Sequence, residues 1–363
     1  MQEERDAAQA KEETERMKEL EQLLHDLDDT LSQPVEDIVP IVESVMQSVA
    51  SKIHAIRGSH DMKIIAEELC QSKLFTDEGD QFAKILAKQD IEKLDADKGY
   101  VVVSLLFHVG QLSPNVYRRL AEDDWFTKLR DVVLSRAWAS AVFNKGDRMH
   151  HAAARLLYEV CRVQELSISE MELLNDELIQ SICDTIERTR DDHREEFNYD
   201  LIRLLLIFND QFTKKNARTL VMINRVLSSV GSRISHSKTL TENLVFMFNR
   251  ADDMPTQILL IEFLKVLFED STTWDIIYTN DLRIVLDVIV RETRNVEDEL
   301  QYMYINMLPP LLLNTNLGEL NYKKEETSKL LHELIHDRFG HVSLRVRKAA
   351  EKVLADTEAI LNH

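Results

Sequence analysis

Glycine and proline are scarce in this chain, 8 and 6 among 363 residues, and neither Asn-Gly nor Asp-Gly occurs. Those dipeptides make the tight hairpin turns of β-rich folds, so their absence argues against an all-β or α/β chain. Cysteine is rarer still. Cys70, Cys161 and Cys183 lie far apart with no C-x-x-C spacing, which excludes a disulfide framework or a cysteine zinc site and leaves buried, reduced thiols. No apolar run is long enough to cross a membrane, and the first 30 residues contain no apolar core of a secretory signal. Basic residues are outnumbered: Lys plus Arg total 44 against 64 Asp plus Glu, a formal charge of -20. That field repels phosphates and anionic lipid, so neither nucleic acid nor membrane insertion is expected. The exceptions are two short basic stretches, Tyr322-Lys-Lys324 and Arg345-Val-Arg-Lys348. Walker A, G-x-G-x-x-G and G-x-S-x-G patterns are all missing, which removes sequence support for nucleotide cradling and α/β-hydrolase chemistry.

What is present is apolar sequence at helical spacing. Hydrophobic residues make up 44% of the chain, and they recur every three to four positions from Tyr199 to Phe212 and from Ile258 to Phe268. Fourteen helices are predicted between Met62 and Leu361, among them Val116 to Leu134, Ser169 to Arg190, Arg218 to Val230, Leu282 to Glu292, Val296 to Leu313 and Glu325 to Phe339. The most apolar recur on the order of 40 to 60 residues apart, near the period of armadillo and HEAT repeats. The fold class is therefore all-α, an armadillo/HEAT-like helical solenoid in which each helix pair buries its face against the next. Residues 1–31 read as an N-terminal amphipathic helix with Met17, Leu20, Leu24, Leu27 and Leu31 along one seam. It either lies along the first repeat or forms a short dimeric coiled coil. Pro34 ends it, and residues 32–363 read as one helical repeat domain and a monomer. The charged loop 190–196 is the expected insertion between an N-terminal and a C-terminal half.

The sequence offers one catalytic pattern. His332-Glu-Leu-Ile-His336 matches H-E-x-x-H, in which two histidines one turn apart bind zinc and the glutamate activates water. Leu330, Leu331, Leu334 and Ile335 already form a buried face, however, so His332, Glu333 and His336 are expected toward solvent, and Gly340 and His341 miss the register of a third ligand. The expectation is no catalytic site, no metal and no cofactor. His150-His151 reads as a surface pair, and Asp123-Asp124 and Asp191-Asp192 as solvated charge. Pro309-Pro310 should bend or restart its helix, because two backbone donors are lost. That bend would project Asn314, Thr315 and Asn316 toward a partner. Trp274 suits either the core or an interface anchor. No tryptophan has Asn four residues on, so an importin-type peptide ladder is not expected.

The most informative stretch runs from Tyr278-Thr-Asn-Asp281 through Asp287-Val-Ile-Val-Arg291 to Leu313-Asn-Thr-Asn316 and Tyr322-Lys-Lys324, with a helix capped by Asn280 or Asp281. Together with Leu201-Ile-Arg-Leu-Leu-Leu-Ile-Phe-Asn-Asp-Gln-Phe212, it resembles the leucine-rich armadillo domain of the WISH/DIP/SPIN family, in its short fungal-type form without the SH3 module and proline-rich stretches of animal members. The resemblance implies a non-enzymatic activator of the actin-related-protein (Arp) complex. Such a protein seeds linear actin filaments without a preformed mother filament, reaches the filament pointed end through that complex, and works in the cytoplasm at cortical actin patches. The partner-binding residues expected on this reading are Trp274, Arg291, Asn314, Thr315, Tyr322, Lys323 and Lys324. A generic armadillo adaptor for another cytosolic protein and a zinc protease are the alternatives.

Overall fold

The computed structural model describes residues 2–33, 37–135, 146–190, 195–218, 222–296, 298–337, 340 and 342–361. Among these there are eighteen α-helices and no strand, and none of the helices is long and apolar enough to cross a membrane. The helices group into two compact units, residues 1–173 and 174–363. Pro34, Asp191, Asp192 and His341 lie outside the described residues.

The first unit contains α1 (Gln2–Leu31), α2 (Val39–Ser51), α3 (Ser59–Gln71), α4 (Lys73–Ala87), α5 (Ala96–Leu112), α6 (Asn115–Glu122), α7 (Trp125–Leu134), α8 (Gly146–Val163) and α9 (Ile168–Leu173). Helix α1 lies along α2 and α3. Its seam is Leu20, Leu23, Leu27 and Leu31, all buried, while Met17 remains exposed. The apolar stripe is thus used inside the unit, the first of the two arrangements open for residues 1–31. Helices α3, α5 and α8 pack in one row, and α4, α6 and α7 in another. Helix α5, in the middle of the first row, is buried from Gly99 to Gly110. Close approach requires glycine at its end: a Cβ on Gly110 would lie 2.1 Å from the Tyr117 ring, whose hydroxyl donates to the Phe107 carbonyl at 2.6 Å. The single helix expected over 116–134 is two helices, because Asp123 closes α6 and Asp124 turns left-handed (φ 58°) before α7.

The second unit contains α10 (Asp176–Arg188), α11 (Glu195–Arg218), α12 (Arg225–Gly231), α13 (Lys238–Arg250), α14 (Met254–Glu269), α15 (Thr279–Glu292), α16 (Asp298–Asn314), α17 (Lys324–Ile335) and α18 (Leu344–Leu361). Two parallel rows emerge from the packing. Helices α10, α13, α15 and α17 follow one another in one row, and α11, α14, α16 and α18 in the second. Each successive pair closes the core left open by the one before, which is the construction of an all-α helical solenoid. The second row carries the most apolar sequence, with Leu204, Phe208, Leu260, Phe263, Leu264, Ile305, Leu308 and Leu311 at or near zero exposure. Burying each contributes about 1.5–3 kcal/mol before entropy is counted. Helix α16 runs unbroken through Pro309 and Pro310, so the expected restart does not occur. Its end is set instead at Asn314.

Candidate protein-interaction site

Helix α15 carries one expected partner-binding residue, Arg291, and anchors two more, Tyr322 and Lys323, through Asp287. It begins at Thr279, with Tyr278 as N-cap and no side-chain cap bond, so Asn280 and Asp281 sit inside its first turn and do not cap it. Positions 282, 285, 286, 288, 289 and 290 are buried. The opposite stripe shows Asn280, Ile284, Asp287 and Arg291 to solvent, at the four-three-four spacing of one helical face. Ile284 is 39% exposed and Tyr278, just before the helix, 58%.

Two of the expected residues meet on Asp287. The Tyr322 hydroxyl donates to both its oxygens at 2.9 and 3.0 Å, and Lys323 Nζ lies 2.9 Å from Oδ1. The hydrogen bond to Asp287 holds the Lys323 ammonium above its ordinary pKa, and burial followed by the Asp287 bond raises the Tyr322 phenol. Lys323 is left-handed (φ 50°), which turns the chain into α17. The ladder continues along α17: Lys323 to Glu326 at 3.5 Å, Glu326 to Arg294 at 3.6 Å, and Arg294 to Glu333 at 3.6 Å. The Arg283 guanidinium covers the Tyr322 ring at 5.4 Å. Arg291 is bound to Asn249 on α13, at 3.0 Å to its side chain and 3.3 Å to its carbonyl. These residues form a charged seam between neighbouring helices. Lys324, half-buried at the start of α17, has no ion-pair partner among the described residues.

The remaining expected residues hold the fold at the other end of α15. Asn314 Nδ2 donates to the Phe268 carbonyl at 2.9 Å and closes the end of α14. Asn316 Nδ2 donates to Thr279 Oγ1 at 2.8 Å. Thr315 is 7% exposed, and its hydroxyl donates to Leu311 O and accepts from Leu317 N. The three do not project freely from the helix end: with their polar groups bonded within the unit, Thr315 is withdrawn from any contact surface. Trp274 is half-buried in the loop between α14 and α15.

Sequence reasoning missed a second exposed group on α13. Phe246, 40% exposed, stacks on Tyr199 of α11 at 5.8 Å with ring planes 6° apart, and Arg250 covers it at 4.4 Å. A phenylalanine one turn before an arginine on an otherwise amphipathic helix was the available signal. The Asn-Asp-Gln block of α11 proves to be internal. Asn209 accepts from Asn224 at 2.8 Å, fixing the N-cap of α12, and Asp210 pairs with Lys214 at 2.7 Å. Burial, with Asp210 opposite, raises the Glu262 carboxyl above its ordinary range.

The H-E-x-x-H residues lie at the end of α17. His332 and His336 are exposed, their rings parallel and 6.2 Å apart, while Glu333 is drawn toward Arg294 and Lys329. No group of three His, Cys, Asp or Glu side chains able to hold a metal is found among the described residues. The purified wild-type chain should carry no stoichiometric zinc, and Glu333→Gln should lower stability by no more than about 1 kcal/mol, since its partners Arg294 and Lys329 lie 3.6 and 3.9 Å away. Elemental analysis and a melting curve check this; stoichiometric zinc lost on His332→Ala would contradict it. His150 is half-buried rather than fully exposed, its Nε2 2.5 Å from the Val133 carbonyl. Burial raises the three thiols, Cys70 to about 11 and Cys183 to about 12, so none is poised as a nucleophile.

Residues 194–327 match the family model described as SPIN90/Ldb17, leucine-rich domain. That segment is therefore similar to the SPIN90/Ldb17 leucine-rich domain. Among similar proteins, LDB17 of Saccharomyces cerevisiae is 32% identical over 186 residues, which is 49% of this chain and 37% of that protein. Protein dip1 of Schizosaccharomyces pombe is 30% identical over 169 residues, 45% of each chain. LDB17 of Eremothecium gossypii is 26% identical over 184 residues, 49% of this chain and 39% of that protein. The match thus spans less than half the length of each of these relatives. A solved structure of an engineered protein aligns over 94% of this chain at 12% identity with a TM-score of 0.32, a likeness too low to carry any argument. In the structure the matched segment runs from α11 into the first turn of α17, and it contains every expected partner-binding residue.

Proposed function

We propose that this chain binds the actin-related-protein complex that branches actin, favours its active arrangement, and so starts unbranched filaments without a mother filament. The observation that carries the reading is the leucine-rich domain match over 194–327. An activator shifts a conformational equilibrium only by its difference in affinity for the two states. A solenoid whose rows are locked by buried leucines and interhelical polar bonds suits that task, because it loses little entropy on docking. The ATP and actin chemistry belong to the partner, and the site of action is the cytoplasmic, cortical actin network.

The contact surface proposed is the outer stripe of α15 with the start of α17: Tyr278, Ile284, Arg291 and Lys324, with Tyr322 and Lys323 holding the seam beneath. A cation in a chain of net charge -20 steers an acidic partner surface. Lys324→Glu should weaken binding by about 1 kcal/mol, mainly through slower association that more salt diminishes. Its melting temperature should hold or rise slightly, because an acid replaces a cation at a helix N-terminus. Lys323→Glu is expected to act differently, lowering stability by about 1 kcal/mol as it faces Asp287 and Glu326. Titration of the purified complex at two salt concentrations, beside melting curves, tests both. Wild-type affinity in folded Lys324→Glu would move the contact to the Phe246 group, and no binding by the wild type would favour an adaptor for another protein.

A further inference from the structure

Three helices of the first unit meet at one hydroxyl. Ser59 is the first residue of α3, His108 lies near the end of α5, and Arg155 is midway along α8. Arg155 Nη1 donates to Ser59 Oγ at 2.5 Å, and His108 Nε2 lies 3.1 Å from the same oxygen. The Arg155 guanidinium also rests on the Phe107 ring at 4.5 Å, which fixes its position. His108 is 4% exposed, Ser59 half-buried. Beside Ser59 the surface is open: a Cβ on Gly58 would meet nothing within 4 Å.

The surroundings are basic in an otherwise acidic chain. Arg148 donates to the Ile53 carbonyl and Arg16 to the Ala55 carbonyl, both in the turn that leads into α3. Lys63 and Arg155 both act on His108 through their charge. The nearby acids are already bound: Asp61 accepts from Arg16 at 2.9 Å and from Arg57 N at 2.8 Å, and Glu13 pairs with Arg16 at 2.7 Å and Arg57 at 2.5 Å. The first amides of the 13-residue α3 add their partial positive charge on the side of Ser59. A guanidinium, an imidazole and a helix start thus converge on one serine.

We propose that Ser59 is a phosphoacceptor for an ATP-dependent serine/threonine kinase, and that Arg155 and the first turn of α3 receive the phosphate. In the transfer, Ser59 Oγ forms a bond to the γ-phosphorus of ATP, the bond from that phosphorus to the β,γ-bridging oxygen breaks, ADP leaves, and the hydroxyl proton passes to the kinase's base. Arg57, exposed two residues before the acceptor, offers the basic mark that basophilic kinases select. Phosphate adds nearly two negative charges and three acceptor oxygens, and Arg155 can hold it with two parallel bonds. The modification would tie α3 to α8 across α5 and stiffen the central row of the first unit.

The test uses the full chain in two arms. In the first, ATP and the catalytic subunit of a cyclic-nucleotide-dependent kinase should add one phosphate, mapped to Ser59 and lost in Ser59→Ala; absence of phosphate at Ser59 overturns the proposal. In the second, phosphoserine is encoded at position 59 during translation. It should raise the melting temperature by about 3 °C and slow amide exchange over residues 57–63. Arg155→Gln should abolish the gain and Arg155→Lys keep part of it. An unchanged or lowered melting temperature, or a gain that survives in folded Arg155→Gln, overturns the proposal.

Discussion

Asn198→Ala should destabilise the second unit by about 2–4 kcal/mol, the loss expected when a buried polar network is opened. Asn198 is 2% exposed, near the start of α11. Its Nδ2 donates to the Ile186 carbonyl at 2.8 Å and to Thr189 Oγ1 at 2.9 Å, and its Oδ1 accepts from Asn243 Nδ2 at 2.8 Å. One side chain therefore joins the end of α10, the start of α11 and the middle of α13. Alanine would leave the Ile186 carbonyl and the Asn243 amide without these partners. Asn306→Ala is the control: that amide bonds to Tyr302 O within its own helix, and its loss should cost under about 1 kcal/mol. Urea unfolding of the three proteins checks the ordering; equal midpoints would contradict it.

Acid should weaken the first unit through His108. Burial, then the charge of Arg155, lowers its imidazole from the ordinary 6.5 to about 4. In the unfolded chain the same side chain takes up its proton near 6.5, so between the two values the unfolded state binds more protons. The stability carried by neutral His108 is complete above pH 6.5, declines as pH falls, and is gone below about 4. The full loss is about 3 kcal/mol, and about 2 kcal/mol of it is reached at pH 5. His108→Gln, which keeps a polar partner for Ser59, should flatten that interval. Unfolding midpoints at pH 7 and pH 5 for both proteins isolate the histidine from the carboxylates they share. Parallel slopes would show that His108 does not titrate as described.

Period and apolar content made the helices legible, and least so where a single polar residue breaks them. Asn175 caps α10 through Leu178 N and divides the helix expected over 169–190. Asn224 accepts from Val226 N and Leu227 N, which delays α12 to Arg225. Both residues look like ordinary helix-surface positions until the neighbouring backbone is known. Pro309 and Pro310 misled in the opposite direction: their buried neighbours on α14 and α18 hold α16 helical where local propensity favours a break. At the candidate site, residue types identified the right stretch but not its geometry. Asn314, Thr315 and Asn316 appear available in sequence, yet each meets a group 4 to 46 residues away. Ile284 and Phe246 are apolar residues on predicted helices, and exposure alone separates them from the core.

Actin assembly with imaging reads filament seeding directly. Pyrene-labelled monomers, the purified actin-related-protein complex and this chain are mixed without preformed filaments, and the products are viewed by fluorescence microscopy. The lag should shorten with the concentration of this chain, and filaments should grow singly, without branches, from their first appearance. A lag unchanged at saturating protein, or branched networks in place of single filaments, would contradict the proposed function.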